Sequence, residues 1–170
     1  SGPAEVYSIA YPARDGLEVP AYLTLPQGMS PESARELPFI VMPHADPHAR
    51  DFRQFHWLAQ MLANEGYGVL QMNFRGSTGY GVAFEKSGRQ QWGQVMLDDI
   101  TDGALWLIKE KIAAADRLCI LGEAFGGYAA LMSAVRSPRL YQCAASLNAV
   151  SDLYSLVADG RKYVGGYYFR

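Results

Sequence analysis

The sequence is short of several things, and each shortage excludes a class of function. No apolar run reaches the ~18–20 residues needed to cross a bilayer, so the chain does not read as a helical membrane protein. Basic residues nowhere cluster and the formal net charge is −2, so neither nucleic acid nor a membrane surface is an expected partner. No signal-peptide pattern is present, and a cytoplasmic location is the expectation. The opening Ser1-Gly2-Pro3 also fits a tag remnant, which leaves room for a removed targeting segment. Cysteine is scarce. Cys119 and Cys143 each sit in an apolar, strand-like run and read as reduced core residues rather than a disulfide or a metal pair. Internal repeats and low-complexity tracts are also missing.

What remains is a globular pattern. At 170 residues the chain is long enough for one domain that buries about 70% of its unfolded surface. Val6 to Ala13 and Leu17 to Leu25 flank Arg14-Asp15-Gly16, and Asp-Gly between two apolar runs signals a hairpin. Pro26 to Pro38 is a polar connection, and Phe39 to Met42 is a short apolar strand ending at Pro43-His44. Phe52 to Glu65 has helical spacing and closes at Gly66. Gly68 to Phe74 is the next strand and Arg75 to Gly81 a glycine-rich loop. Val95 to Ile112 is an amphipathic helix, and Cys143 to Leu147 a last strand. A hairpin followed by alternating strands and helices predicts an α/β fold, with a mostly parallel sheet and helices on both faces.

Between that helix and the last strand lies the stretch around which the chain is organised. Leu118 to Leu121 reads as a buried strand, followed by Gly122-Glu123-Ala124-Phe125-Gly126 and a small-residue helix. This has the form of a nucleophile elbow, G-x-S-x-G, in which the glycines let strand and helix approach closely. The same string also arises in any strand-glycine-helix unit of a parallel sheet. The central residue is Ala124, and a methyl group cannot attack a carbonyl.

Further strings make the reading specific. Ala13-Arg-Asp-Gly-Leu-Glu-Val-Pro-Ala-Tyr-Leu23, Pro43-His-Ala-Asp-Pro-His-Ala-Arg-Asp51 and Asn73-Phe-Arg-Gly-Ser-Thr-Gly-Tyr-Gly81 occur in this order. Trp92-Gly93, Asp98-Asp99-Ile100 and Gly126-Gly-Tyr-Ala-Ala-Leu131 follow. Together they resemble the amino-terminal half of the peptidase domain of the prolyl oligopeptidase family, especially its acylaminoacyl-peptidase and dipeptidyl-peptidase-like members. The resemblance implies that residues 1–170 form part of an α/β-hydrolase fold, without the family's β-propeller. It also implies serine-type cleavage of short or acylated peptides with no cofactor.

The departures from the family matter most. The resemblance places the nucleophile at Ala124 and two oxyanion-hole donors at the backbone of Phe125 and near Asp46. The family has Gly-Gly after His44 where this chain has Ala45-Asp46. A carboxylate at Asp46 either adds like charge where an oxyanion forms, or points to solvent while the turn shifts. In this fold the triad order is Ser, Asp or Glu, then His, yet His44, His48 and His56 all precede the elbow. Asp152 and Asp159 come too early for the family's acid and read as a helix cap and a loop residue. The carboxy-terminal part that bears the family's Asp and His is expected to be absent. A catalytically inactive chain follows, arising from deliberate replacement of a serine or from decay; Ala45-Asp46 favours decay or several changes made together.

The remaining candidates read more plainly. His44, Asp46 and His48 have an H-x-D-x-H spacing, but the family's turn accounts for them without metal. His56 reads as a surface or packing residue on its helix. Asp98, Asp99 and Asp102 read as carboxylates near the positive end of a helix dipole. Gly76, Gly79 and Gly81 are followed by no Gly-Lys-Ser/Thr and so form no phosphate loop. Tyr163, Tyr167, Tyr168 and Phe169 predict an exposed apolar patch. The last strand is expected to leave an open sheet edge, covered by a second chain or a second copy. That gives the alternative function, a non-catalytic binding or assembly module.

Overall fold

The period-2 alternation of strand side chains divides the core into two layers. In a computed structural model, which describes residues 2–150, 152–154 and 158, Phe39 and Val41 point to one side of the sheet. Ile40 and Met42 point to the other. On the first side they join Leu70, Met72, Leu118 and Ile120 and pack against Leu97, Ile100, Ala104 and Ala129 of two helices. On the second side Ile40, Met42 and Val69 meet Ala59, Leu58 and Leu62 of a single helix. Helices on both faces are therefore present, as the α/β pattern predicted.

The elements run β1 (Glu5–Pro12), β2 (Glu18–Leu25), β3 (Leu37–Val41), α1 (Trp57–Asn64), β4 (Gly68–Met72), α2 (Val82–Lys86), α3 (Val95–Lys109), β5 (Ala113–Glu123), α4 (Ala124–Arg136) and β6 (Cys143–Leu147). They form one six-stranded sheet in the order β1-β2-β4-β3-β5-β6. β1 and β2 are antiparallel, β2 joins β4 antiparallel, and β3, β4, β5 and β6 are mutually parallel. The hairpin turn sits at the Asp-Gly, closed by Ala13 N–H to the Leu17 carbonyl at 2.8 Å.

Four expectations need correction. The helix expected from Phe52 starts at Trp57, because the His56 ring accepts the Ala59 N–H and caps it. His56 is thus a cap rather than a packing residue. The elbow strand is longer than Leu118 to Leu121 and begins at Ala113, which is in register with Leu37. Asp99 and Asp102 serve ion pairs more than a helix dipole. Asp99, fully buried, accepts both the Arg75 guanidinium at 2.7 Å and the Arg75 N–H at 2.9 Å. Asp102 holds the Arg14 guanidinium at 2.8 Å, and Arg75 also reaches Asp15 in the hairpin turn. These pairs fasten α3 to the hairpin and to the loop after β4.

The two cysteines are the fourth correction. Cys119 and Cys143 are directly opposed on the parallel pair β5 and β6. Their Cα atoms lie 4.7 Å apart, within disulfide range, and the two are bridged. Each residue taken alone looks like a core cysteine, and only the strand register brings them together. The expected aromatic patch at Tyr163, Tyr167, Tyr168 and Phe169, and Asp159, lie outside the described residues.

Candidate functional site

The elbow owes its shape to two glycines at the crossing of strand and helix. A β-carbon at Gly122 would overlap the Gly126 carbonyl oxygen, and one at Gly126 would overlap the Pro43 carbonyl oxygen. A side chain at Gly122 would push α4 away from β5, and one at Gly126 would push it away from the Pro43-His44 turn. The chain turns from β5 into α4 at Ala124, whose φ of +49° lies in the left-handed region. A non-glycine residue there carries a cost of about 1–2 kcal/mol, sustained by the packing around it. The Ala124 carbonyl accepts the Val150 N–H at 3.3 Å.

The turn after β3 closes over this elbow. The Phe125 N–H, one of the two implied oxyanion donors, donates to the Ala45 carbonyl at 3.1 Å. Asp46 is exposed, and its carboxylate accepts the His48 N–H at 2.7 Å, an Asx-type bond that shapes the turn. The Asp46 carboxylate is thus turned to solvent and engaged within its own turn.

His44 is tied into the protein through both ring nitrogens. Its Nδ1–H donates to the Asp46 carbonyl at 2.7 Å, and Nε2 lies 2.9 Å from Ser77 Oγ. The ring stacks on Phe74 with centroids 4.2 Å apart. Burial pushes its pKa down to about 4, so it is neutral near pH 7. The metal alternative at His44, Asp46 and His48 has no support in this arrangement. Among the described residues no group of three His, Cys, Asp or Glu side chains is placed to share an ion.

The Phe125 ring is buried in the core, edge-on to Trp92 at 5.5 Å and tilted against Tyr128 at 5.8 Å. His48 stands edge-on to Trp92 at 6.0 Å. Asp152 Oδ1 accepts the Tyr154 N–H at 2.9 Å, the local bond expected of a cap.

Several residues that position the site were overlooked in the sequence. Asn73 takes the Asp51 N–H at 2.7 Å and returns its amide to the Asp51 carbonyl at 3.1 Å. The Arg50 guanidinium lies between the rings of Phe52 and Tyr80, 4.7 and 4.5 Å from their centroids. Together these bonds lock the turn after β3 onto the loop after β4. Both segments stand out as motif strings, but nothing along the chain says that Arg50 meets Tyr80.

The family follows from comparison. The prolyl oligopeptidase family model matches residues 53–168. The chain belongs to the prolyl oligopeptidase family. As a member of it, the chain is 32% identical to dipeptidyl aminopeptidase BIII of Pseudoxanthomonas mexicana over 92% of its own length and 23% of that relative. It superposes on a puromycin-hydrolyzing peptidase of Mycobacterium tuberculosis with a TM-score of 0.82 and 28% identity, covering 91% of this chain and 24% of that one. It is also similar to a serine-to-alanine mutant of puromycin hydrolase complexed with PGG, at a TM-score of 0.80 and 32% identity over 92% and 24% of the two chains. This prolyl oligopeptidase family chain therefore spans about a quarter of the length of these relatives. Its sheet is the mostly parallel α/β sheet of those peptidases.

Proposed function

We propose that this chain is a catalytically silent member of the prolyl oligopeptidase family that retains a peptide-facing surface. The observation that carries the reading is the occupancy of the elbow. Ala124 supplies no nucleophilic atom, and the Phe125 N–H already donates to the Ala45 carbonyl. Losing one oxyanion donor costs about 10²–10³ in rate, and losing a triad nucleophile about 10⁶. A base is also lacking among the described residues. His44 has both ring nitrogens engaged, His56 caps α1, and His48 stands against Trp92. The ligand class, short or acylated peptides, is taken from the relatives' activities and needs no cofactor.

The second reading, an assembly module, is favoured by one observation. Among the described strands β6 is hydrogen-bonded on one side only, by β5, and Leu147 at its end is 49% exposed. Such an edge is a template for strand addition by a second chain or a second copy. Among the described residues no helix is long and apolar enough to cross a membrane. A cytoplasmic location would require Cys119 and Cys143 to be held reduced; their bridge supports an oxidising compartment instead.

Peptide arylamide turnover, measured beside calorimetric binding of the uncleaved peptides and native mass spectrometry, tests the proposal. Binding without turnover is expected. Turnover by the purified chain would overturn the silent reading, and a stable homo-oligomer that binds no peptide would replace it with the assembly module.

A further inference from the structure

A second site lies on the α1 face of the sheet, beside the elbow. It is a cavity of about 210 Å³ that includes Ala45 and Gly122 in its wall. Its wall carries apolar groups at Met42, Leu121 and Leu147 and polar ones at Asp51, Gln71 and Glu123, with Glu123 paired beside Leu147 on the neighbouring strand. Asp51 Oδ2 is buried and has no hydrogen-bond partner among the described residues. An orphaned carboxylate oxygen is costly and calls for a partner. Asn73 holds the Asp51 backbone on both its N–H and its carbonyl, which fixes the position of the residue at the cavity wall.

Charge bookkeeping around the cavity identifies that partner. Two carboxylates line it, and none of its lining residues is lysine or arginine. The two histidines in the wall do not supply the missing charge. His44 is neutral near pH 7, its pKa pushed down to about 4, and burial lowers that of His56, whose Nδ1 accepts the Ala59 N–H. Burial pushes the Asp51 carboxyl up to about 6 against the opposing effect of the Gln71 side chain, and no lysine or arginine lines the cavity to offset it.

We propose that this cavity receives a lysine or arginine side chain of a peptide ligand. The methylene stem lies along Met42, Leu121 and Leu147, and the cationic head meets Asp51 and Glu123. Long basic side chains bury an aliphatic stem while keeping the charged end polar, which suits a pocket whose wall carries both apolar side chains and carboxylates. A charged hydrogen bond to the orphaned oxygen supplies the affinity. The site does not depend on whether the elbow is silent.

The test is a calorimetric titration of the whole chain with N-acetyl-lysine methylamide and N-acetyl-norleucine methylamide, which share a stem and differ in the ammonium. The lysine probe should bind saturably and about tenfold more tightly than the norleucine probe, with release of a proton at pH 6. Asp51→Asn should lower the affinity for the lysine probe about tenfold and leave the norleucine probe unchanged. Glu123 is exposed, so Glu123→Gln reports the same loss even if Asp51→Asn misfolds. Equal binding of the two probes, absence of saturable lysine binding, or insensitivity of lysine binding to Glu123→Gln would each overturn the proposal.

Discussion

Reduction of the Cys119–Cys143 bridge should weaken the fold by an amount set by the loop it closes. The two residues are 24 apart in sequence, and the loop contains all of α4. In the chain-entropy treatment, a loop of that size restricts the unfolded ensemble by about 3.5 kcal/mol at 25 °C. The folded state should change little, because β5 and β6 remain paired through five register positions from Cys119↔Cys143 to Glu123↔Leu147. Cys143 is exposed, which gives a reductant access. Urea denaturation followed by circular dichroism, with and without a phosphine reductant, reads the difference. The Cys119→Ser/Cys143→Ser double variant should lose the same amount and become insensitive to reductant. Coincident curves for the oxidised and reduced protein would refute the loop argument. Two titratable thiols in the native protein purified without reductant would refute the bridge itself.

Three other outcomes follow from the same geometry. Ala124→Gly should stabilise the chain by about 0.5–1 kcal/mol in urea denaturation, because relief of the positive φ outweighs glycine's extra unfolded freedom, whereas Gly126→Ala should destabilise it by several kcal/mol. Arg75→Met, which leaves Asp99 buried without its partner, should cost about 3–5 kcal/mol by the same measurement, while removal of Arg14, whose side chain is half exposed, should cost under about 1 kcal/mol. The folded Asp51 carboxyl, raised from 3.8 to about 6, keeps a proton that the unfolded chain loses, so its contribution to stability falls as pH rises through that window. His44, lowered from 6.5 to about 4, acts oppositely and weakens the fold as pH drops through its own window. Asp51→Asn removes the first effect alone, so its stability relative to the parent chain should climb between pH 4 and 7 by up to about 3 kcal/mol.

The parts of the fold that were legible in the sequence are those written in local periodicity. The hairpin at Asp15-Gly16, the strand at Cys143–Leu147 and the helix beginning at Val95 were all visible because their apolar spacing and turn residues lie side by side. The elbow was visible because Gly122 and Gly126 are four residues apart and each is required by a backbone contact. What stayed hidden depends on register or on contacts between distant segments. Cys119 meets Cys143 only once β5 and β6 are aligned, and His56 reveals itself as a cap only when Trp57 is known to open α1. Asp99 looks like any acid early in a helix, and its pairing with Arg75 is settled by how α3 crosses the sheet. The cavity at Asp51 and Glu123 joins residues 72 positions apart and has no linear signature.

The silent-elbow account is tested most directly by restoring the nucleophile. Ala124→Ser should be treated with a fluorophosphonate probe and examined by intact mass, with its peptide arylamide turnover measured in parallel. The account predicts no adduct and no turnover above the uncatalysed rate, because no described histidine is positioned as a base and the Phe125 N–H is engaged by the Ala45 carbonyl. Stoichiometric labelling, or turnover that appears on this single substitution, would contradict it and show a catalytic site complete but for one hydroxyl.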